Sequence, residues 1–441
     1  MVGELKNDAR KSAKSWIFTF IIAAVAMIIY KINHDISSVR KEFHVQGFVH
    51  PNFTGVRDAF INNFNIGWER DGASFSAYHK GEKVVDLWGG YADVSVGRKW
   101  KENTMSIAFS SSKTLGAICI ALLVDQGHLK YEDKIAKYWP SFAQNGKENI
   151  TIQMVMSHTS GLVLIDAYVE IEYAMDHLLI QKIIEEQTPY WEPGTQIGYH
   201  AISYGWIVDQ IIIHVDPKKR TIGKFFKEEI TDVHGIDAYL GLPNELAYRV
   251  SKLSSATLYD RIDEYITNTK SADYWHVAKD VVSHGYLSQM SQNPEWLQSI
   301  FKMTLNNPDV YAVEQCAALG IGTARAFAKL FNKLMKGEII SPELVKKIST
   351  PYTGADKDVV TGASIARGYG FTFIPFTLNN EEHMIIGHAG LGGQNIRFDP
   401  KKDLAFSYLS NGMKSGLGDL ARTYLPLRDA VYNSVHAMSN N

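Results

Sequence analysis

The spacing of hydrophobic and polar positions changes character twice along this chain. Residues 56–64 carry apolar side chains at helical spacing, and residues 73–79 and 82–88 then alternate in the manner of strands joined by the turn Lys80-Gly81. From Ser110 to about Gly320 the pattern is mainly helical, with helices predicted around 180–186, 203–214 and 258–267. Strand signals return at 368–376, 384–388, 394–398 and 404–409, and a helix over 417–435 closes the chain. Strands at both ends with helices between them predict an antiparallel sheet assembled from the two termini, with a helical region inserted.

The N-terminus breaks this scheme. Residues 16–30 are uncharged and mostly apolar, 15 residues against the roughly 20 that a spanning helix usually needs. Aromatic residues at both ends and the flanking Lys14 and Lys31 extend the effective length. The expected division is a tail at 1–15, a transmembrane anchor at 16–30, a stalk at 31–52 and a domain at 53–441. Within that domain, 53–109 and 321–441 form the sheet region and 110–320 the helical region. A cleaved signal peptide is the alternative, with Ala24-Val25-Ala26 as its small-residue site, but cleavage there exposes Met27-Ile28-Ile29-Tyr30. Lys6, Arg10, Lys11 and Lys14 precede the segment, while Lys31, Arg40 and Lys41 follow it, a slight bias toward a cytoplasmic N-terminus. The domain is then lumenal or extracellular, where the sequons at Asn52 and Asn149 are usable glycosylation sites; a secreted or mitochondrial protein is the alternative.

Composition narrows the function classes. Lys+Arg 45 against Asp+Glu 47 gives 45 − 47 = −2, and no basic block marks a nucleic-acid surface. With 45% hydrophobic and 12% aromatic residues, the chain can bury a large core. Its two cysteines, Cys119 and Cys316, are too few for a disulfide scaffold or a thiolate zinc site. Cys119 reads as a buried free thiol, and one disulfide to Cys316 stays open for a lumenal domain. No cofactor or metal is expected, and nothing in the pattern sets an oligomeric state.

The candidate chemistry lies at Ser110-Ser111-Ser112-Lys113. A serine and a lysine three residues apart at a helix start face the same way, and an amine held neutral by burial can take the serine's proton during attack on a carbonyl. Ser-x-x-Lys alone is weak, and Ser38-Val39-Arg40-Lys41 is a second instance in a charged segment. Context separates the two, because Lys113 opens an almost wholly apolar run that ends at Gly127, a buried helix whose N-terminus favours an oxyanion. Ser111 and Ser112 read as helix-start or solvent-facing hydroxyls.

Three further stretches accompany the pair: Ser157-His158-Thr159-Ser160-Gly161-Leu162, Tyr199-His200-Ala201 after Pro193-Gly194, and His388-Ala389-Gly390-Leu391 at a strand end. In this order and spacing the set resembles the serine β-lactamase-like family, above all its class C β-lactamase and esterase branch, including animal β-lactamase-domain-containing proteins. The resemblance spans about residues 53–433. It implies an α/β (α+β) fold of the β-lactamase/transpeptidase type: an antiparallel sheet flanked by helices, with an inserted all-helical subdomain. It further implies that Ser110 is acylated, that Lys113 accepts its proton, and that Tyr199 assists with a phenol whose pKa the lysine lowers. His388 and Gly390 edge the site, and the N–H groups of Ser110 and Leu391 form the oxyanion hole. His158 to Leu162 is a structural hallmark in which Gly161 ends a helix and the Ser and Thr hydroxyls bond its backbone.

Two departures shape the functional expectation. The family's second motif is Tyr-x-Asn, and here Ala201 stands in place of the asparagine that bonds a substrate amide. The third motif commonly carries a lysine for a substrate carboxylate, and here it is His388, largely neutral at pH 7. The expectation is a membrane-anchored serine esterase acting on small or lipid-like esters. An amidase, D-amino-acid-type peptidase or β-lactamase is the enzymatic alternative, and a non-catalytic assembly or binding protein that keeps the fold is the other.

Overall fold

The computed structural model describes residues 24–28, 31, 43–270, 273–299, 302–415 and 418–439. Most of the expected anchor, 16–30, and the bystander pair Ser38/Lys41 lie outside the described residues. Residues 24–28 are helical. Among the described residues no helix is long and apolar enough to cross a membrane.

The terminal strands form one nine-stranded antiparallel sheet. Its path runs β1 (Val45–Val49), β3 (Glu82–Asp93), β2 (Gly72–His79), β12 (Leu404–Ser410), β11 (Asn395–Asp399), β10 (Glu381–Ala389), β9 (Phe371–Leu378) and β8 (Ala366–Gly368), with β4 (Arg98–Lys99) on β3. The pairing of β12 with β2, from Leu404 opposite His79 to Ser410 opposite Ala73, joins the two ends of the chain. Both faces of β12 are covered, and its side chains divide by strand period: Leu404, Phe406 and Tyr408 face one core, while Ala405 and Leu409 face the other. Helix α1 (Thr54–Asn65) supplies Val56, Phe60 and Phe64 to the first core.

The helical region carries the site. It includes α2 (Lys113–Asp125), α3 (Ile152–Met156), α4 (His177–Glu186), α5 (Ser203–Val215), α6 (Leu258–Thr267), α7 (Tyr274–Val282) and α8 (Tyr286–Met290). A small sheet ties it to the rest: β5 (Ser106–Ile107) and β6 (Ala238–Leu240) flank β7 (Gly320–Gly322). Helix α9 (Ala324–Met335) packs on the large sheet, with the Phe331 ring edge-on to Phe371 and Phe398. A last helix, α10 (Leu425–Ser439), adds Leu427 and Val431 to the core that α1 fills.

Several expectations are corrected. The stalk does not extend to residue 52, because Val45–Val49 is an edge strand on β3. Its inward positions are Val45, Gly47 and Val49, and the glycine in the middle breaks the apolar alternation. Gly47 is required there, since a Cβ would lie 2.0 Å from the Asp86 carbonyl oxygen. The closing helix starts at Leu425 instead of 417, with Pro426 in its first turn, where the missing N–H costs nothing. Helix α9 is not among the expected elements, although Phe327, Leu330, Phe331 and Leu334 follow helical spacing and Thr323 caps it through the Ala326 N–H at 3.1 Å. Cys119 and Cys316 are both buried free thiols, so the disulfide left open above does not form.

Candidate active site

Ser110 sits where the small sheet delivers the chain to α2. Ala108 N–H donates to the Gly320 carbonyl at 2.8 Å, and one tight turn, Phe109–Ser112, then leads into the helix at Lys113. Phe109 takes φ 47°, an unfavourable conformation for an aromatic residue, held by the contacts around it. Ser111 and Ser112 are not solvent-facing. Both are fully buried: Ser111 Oγ donates to the His388 carbonyl at 2.8 Å, and Ser112 Oγ accepts from Gly320 N–H at 2.8 Å. The two hydroxyls flanking the turn thus staple it to β10 and β7, leaving Ser110 half-buried at the edge of a cavity.

Lys113 is wholly buried beneath that turn. Its Nζ donates to the carbonyls of Ala201 at 2.8 Å and Ala317 at 3.0 Å, and it lies 4.7 Å from the centre of the Tyr199 ring. Burial lowers its pKa from 10.5 to about 7, which brings the neutral amine within reach near neutral pH. A neutral amine has two hydrogens and one lone pair. The two carbonyls can take both hydrogens, which leaves the lone pair for a proton from elsewhere.

Tyr199 reverses one expectation. Its pKa is raised, not lowered, because burial outweighs the lowering influence of Ser110 and Arg367. Its hydroxyl lies close enough to Ser110 to feel that group, yet makes no well-formed hydrogen bond within the protein. Burial, with Asp358 beside it, decides the direction, and no neighbouring charge offsets it. Near neutral pH the lysine is therefore the group that can be unprotonated, and the tyrosine stays a proton donor.

His388 closes the site from β10. It stacks on Tyr199 with ring centres 5.9 Å apart, and its Nδ1 lies 2.6 Å from the Ala389 carbonyl, which makes Nδ1 the protonated nitrogen. Burial, reinforced by Lys113, holds its pKa well below 6.5, so the ring is neutral. Gly390 ends the strand against the serine turn, where a Cβ would come 2.4 Å from the Ala108 carbonyl oxygen. Leu391 follows and lines the same cavity as Ser110, Tyr199 and Ala201.

The hallmark stretch works differently from the expectation. The helix before it stops at Met156, and His158 at φ 62° is the residue that turns the chain away; Gly161, at φ 78°, lies beyond the helix end, and a Cβ there would meet the Trp191 carbonyl oxygen at 2.6 Å. Ser157 and Thr159 do bond the helix backbone, at the Gln153 and Met154 carbonyls. Ser160 instead bonds His200 Nε2 at 2.8 Å. His158 packs 5.1 Å from the Tyr199 ring, so this segment forms the floor under the tyrosine.

Sequence motifs did not reveal the walls. The cavity, about 250 Å³, is completed by Phe109, Ile202, Leu287, Met290, Leu297 and Leu305, mostly from the helical region. Nor did they reveal the buried ion pair of Arg367 with Asp358 at 2.9 Å, whose guanidinium influences Tyr199 and His388. Asn52 and Asn149 are exposed; the Asn149 side chain accepts from Lys134 at 2.7 Å. Among the described residues no cluster of His, Cys, Asp or Glu could hold a metal ion.

Comparison with known proteins agrees with this geometry. The Beta-lactamase family profile matches residues 59–429, more than half of the chain. The chain is 27% identical over 395 residues to the "Esterase/beta-lactamase LipL" of Mycobacterium tuberculosis, covering 85% of this chain and 84% of that protein. Among solved structures, a family VIII carboxylesterase superposes with TM-score 0.75 at 29% identity, over 89% of this chain and 100% of that one. A penicillin-binding protein homologue from Caulobacter crescentus gives 0.73 at 27% identity, with the same coverage. The chain belongs to the β-lactamase family and is a serine hydrolase.

Proposed function

We propose that the protein is an esterase that works through an acyl-enzyme on Ser110. The observation that carries this reading is the wholly buried Lys113, whose pKa near 7 makes it a competent base one helical turn from a half-buried serine. Lys113 takes the Ser110 proton as Oγ attacks the ester carbonyl, and the N–H groups of Ser110 and Leu391 receive the oxyanion. Tyr199 then gives its proton to the departing alcohol as the oxyanion collapses and takes in exchange the proton that Lys113 holds; water attacks the acyl-enzyme by the same steps in reverse and leaves Ser110 protonated and Lys113 neutral.

The apolar cavity selects neutral esters. Ala201 offers no side-chain amide and His388 no positive charge, so the groups that would recognise an anionic lactam or peptide are missing. The family VIII carboxylesterase among its structural neighbours supports this choice, while the LipL name joins esterase with beta-lactamase. The test compares kcat/KM for p-nitrophenyl butyrate with that for a chromogenic cephalosporin, in the wild type and in Ser110→Ala. The ester is preferred by about 10²-fold or more, and both activities vanish in the variant. A preference for the cephalosporin overturns the esterase reading.

The finer reading places this domain outside the cytosol on an N-terminal anchor at 16–30, with lipid-like esters within reach. Support comes from the apolar sequence of that segment. Helices α6 and α7 also expose Leu258, Ile266, Trp275 and Val282, each more than two-thirds accessible. In a eukaryotic host the protein resists carbonate extraction from membranes, and glycosidase treatment raises its mobility through Asn52 or Asn149. A soluble, glycan-free product contradicts this placement.

A further inference from the structure

The cavity at Ser110 has a neighbour. A second cavity of about 250 Å³ lies between residues 163–166, the start of α5 and the turn at 289–293. Ile202 and Met290 line both. These two side chains, each half-buried, form a partition between the chambers. Ile202 immediately follows Ala201, whose carbonyl holds Lys113, so the partition stands one residue from the candidate base. Met290, unbranched and flexible, can change shape more easily than a β-branched neighbour.

The chambers differ chemically. Around Ser110 the lining is overwhelmingly apolar, whereas the second chamber adds Asp166, Tyr190 and Trp206. Most polar groups there are already engaged. Asp166 accepts from the Tyr190 hydroxyl and from Gln187 Nε2 at 2.9 Å, Ser203 Oγ donates to the Leu162 carbonyl at 2.6 Å, and Asn293 Nδ2 donates to the carbonyls of Ile165 and Ala167 at 2.9 and 2.8 Å. The exception is Trp206, 3% exposed, whose indole N–H is buried without an acceptor. A buried donor left unpaired is costly; this one is covered by protein atoms, so a ligand oxygen would reach it and remove that cost only as the chamber wall shifts around an entering chain.

We propose that the second chamber is a distal acyl subsite of the Ser110 site, gated by Ile202 and Met290. It takes the far end of an acyl chain too long for the first chamber, and Trp206 donates to a hydroxyl, ether or carbonyl oxygen carried near that end. This rests on the acyl-transfer reading above. The natural substrate class is thus an ester of an extended acyl group that is apolar next to the carbonyl and bears one neutral acceptor farther out. The carboxylate of Asp166 beside the chamber disfavours an acid at that end.

The test is the ratio of kcat/KM for p-nitrophenyl dodecanoate to that for the butyrate, read on one preparation so that the fraction of active enzyme cancels. Ile202→Ala and Met290→Ala each raise the ratio by at least ~10-fold, because the added methylenes gain a buried path. Placing Gln292→Trp, an exposed position on the second chamber's rim, in the Ile202→Ala background returns the ratio toward wild type. Trp206→Phe in that same background lowers the preference for an ω-methoxy chain over a plain chain of equal length by about 3- to 10-fold. Unchanged ratios with Ser110-dependent butyrate turnover intact overturn the subsite and leave the acyl-transfer reading standing. Absence of Ser110-dependent turnover of any ester overturns both.

Discussion

Lys113 Nζ donates a 2.8 Å hydrogen bond to the main-chain carbonyl of Ala201, the position at which the family pattern carries an asparagine. The side chain lost at 201 is therefore not what holds the lysine. Base and specificity are separable at this one residue, since its carbonyl anchors the amine while the residue also lines the cavity at Ser110. Ala201→Asn accordingly keeps the base in place and adds an amide to the cavity. The cephalosporin-to-ester ratio of kcat/KM rises by about 3- to 10-fold, the worth of one hydrogen bond. No movement means that position 201 does not read the substrate.

The pH profile follows from which group loses its proton. Lys113 is lowered to about 7, so the active, unprotonated amine predominates above that value and is lost as pH falls through it. The imidazoles of His158, His200 and His388 are all pushed down by burial, His200 to about 4, and stay neutral across this range. kcat/KM for a neutral ester rises with pH through about 7 and then levels, because Tyr199 is raised and does not ionise there. An activity maximum near pH 5 falling toward pH 8 contradicts the assignment of the base.

Removing the base separates it from its surroundings. Lys113→Ala lowers ester kcat/KM by about 10³-fold, and combining it with Ser110→Ala costs little more than either alone, because the two act as one unit. Tyr199→Phe lowers it by about 10²-fold while circular dichroism and melting temperature stay near wild type. A fully additive double variant shows two independent groups instead.

Ser111 reports on the staple that positions the turn. Ser111→Ala removes the donor to the buried His388 carbonyl and destabilises the protein by about 1–2 kcal/mol, visible as a lower denaturation midpoint. The reactive serine remains Ser110. A neutral effect on stability shows that the 2.8 Å contact is dispensable to the turn.

The sequence carried the order of elements well, since period and turn residues fix strands such as Leu404–Ser410 and the hairpin at Lys80-Gly81 locally. It failed at Val45–Val49, where a glycine demanded by close packing against Asp86 erased the alternation. At the site, Ser110 was legible through its spacing from Lys113, and Tyr199 and Leu391 through the resemblance to the family's motifs; the structure brings all three to one cavity over Lys113. The protonation of Tyr199 was not legible, because it depends on a burial to which residues distant in sequence, His158 and His388, contribute, and which outweighs the opposing charge of Arg367. The cavity walls at Leu287, Met290, Leu297 and Leu305 were hidden for the same reason, as apolar residues carry no motif and only the fold gathers them.

The central claim is a covalent intermediate on Ser110. It is tested most directly by incubating the protein with a fluorophosphonate, measuring the intact mass, and sequencing the labelled peptide. One adduct per chain on Ser110, absent in Ser110→Ala and greatly slowed in Lys113→Ala, is the predicted result. Label on Ser111, on Ser112 or outside this turn, or labelling that persists in Ser110→Ala, contradicts it.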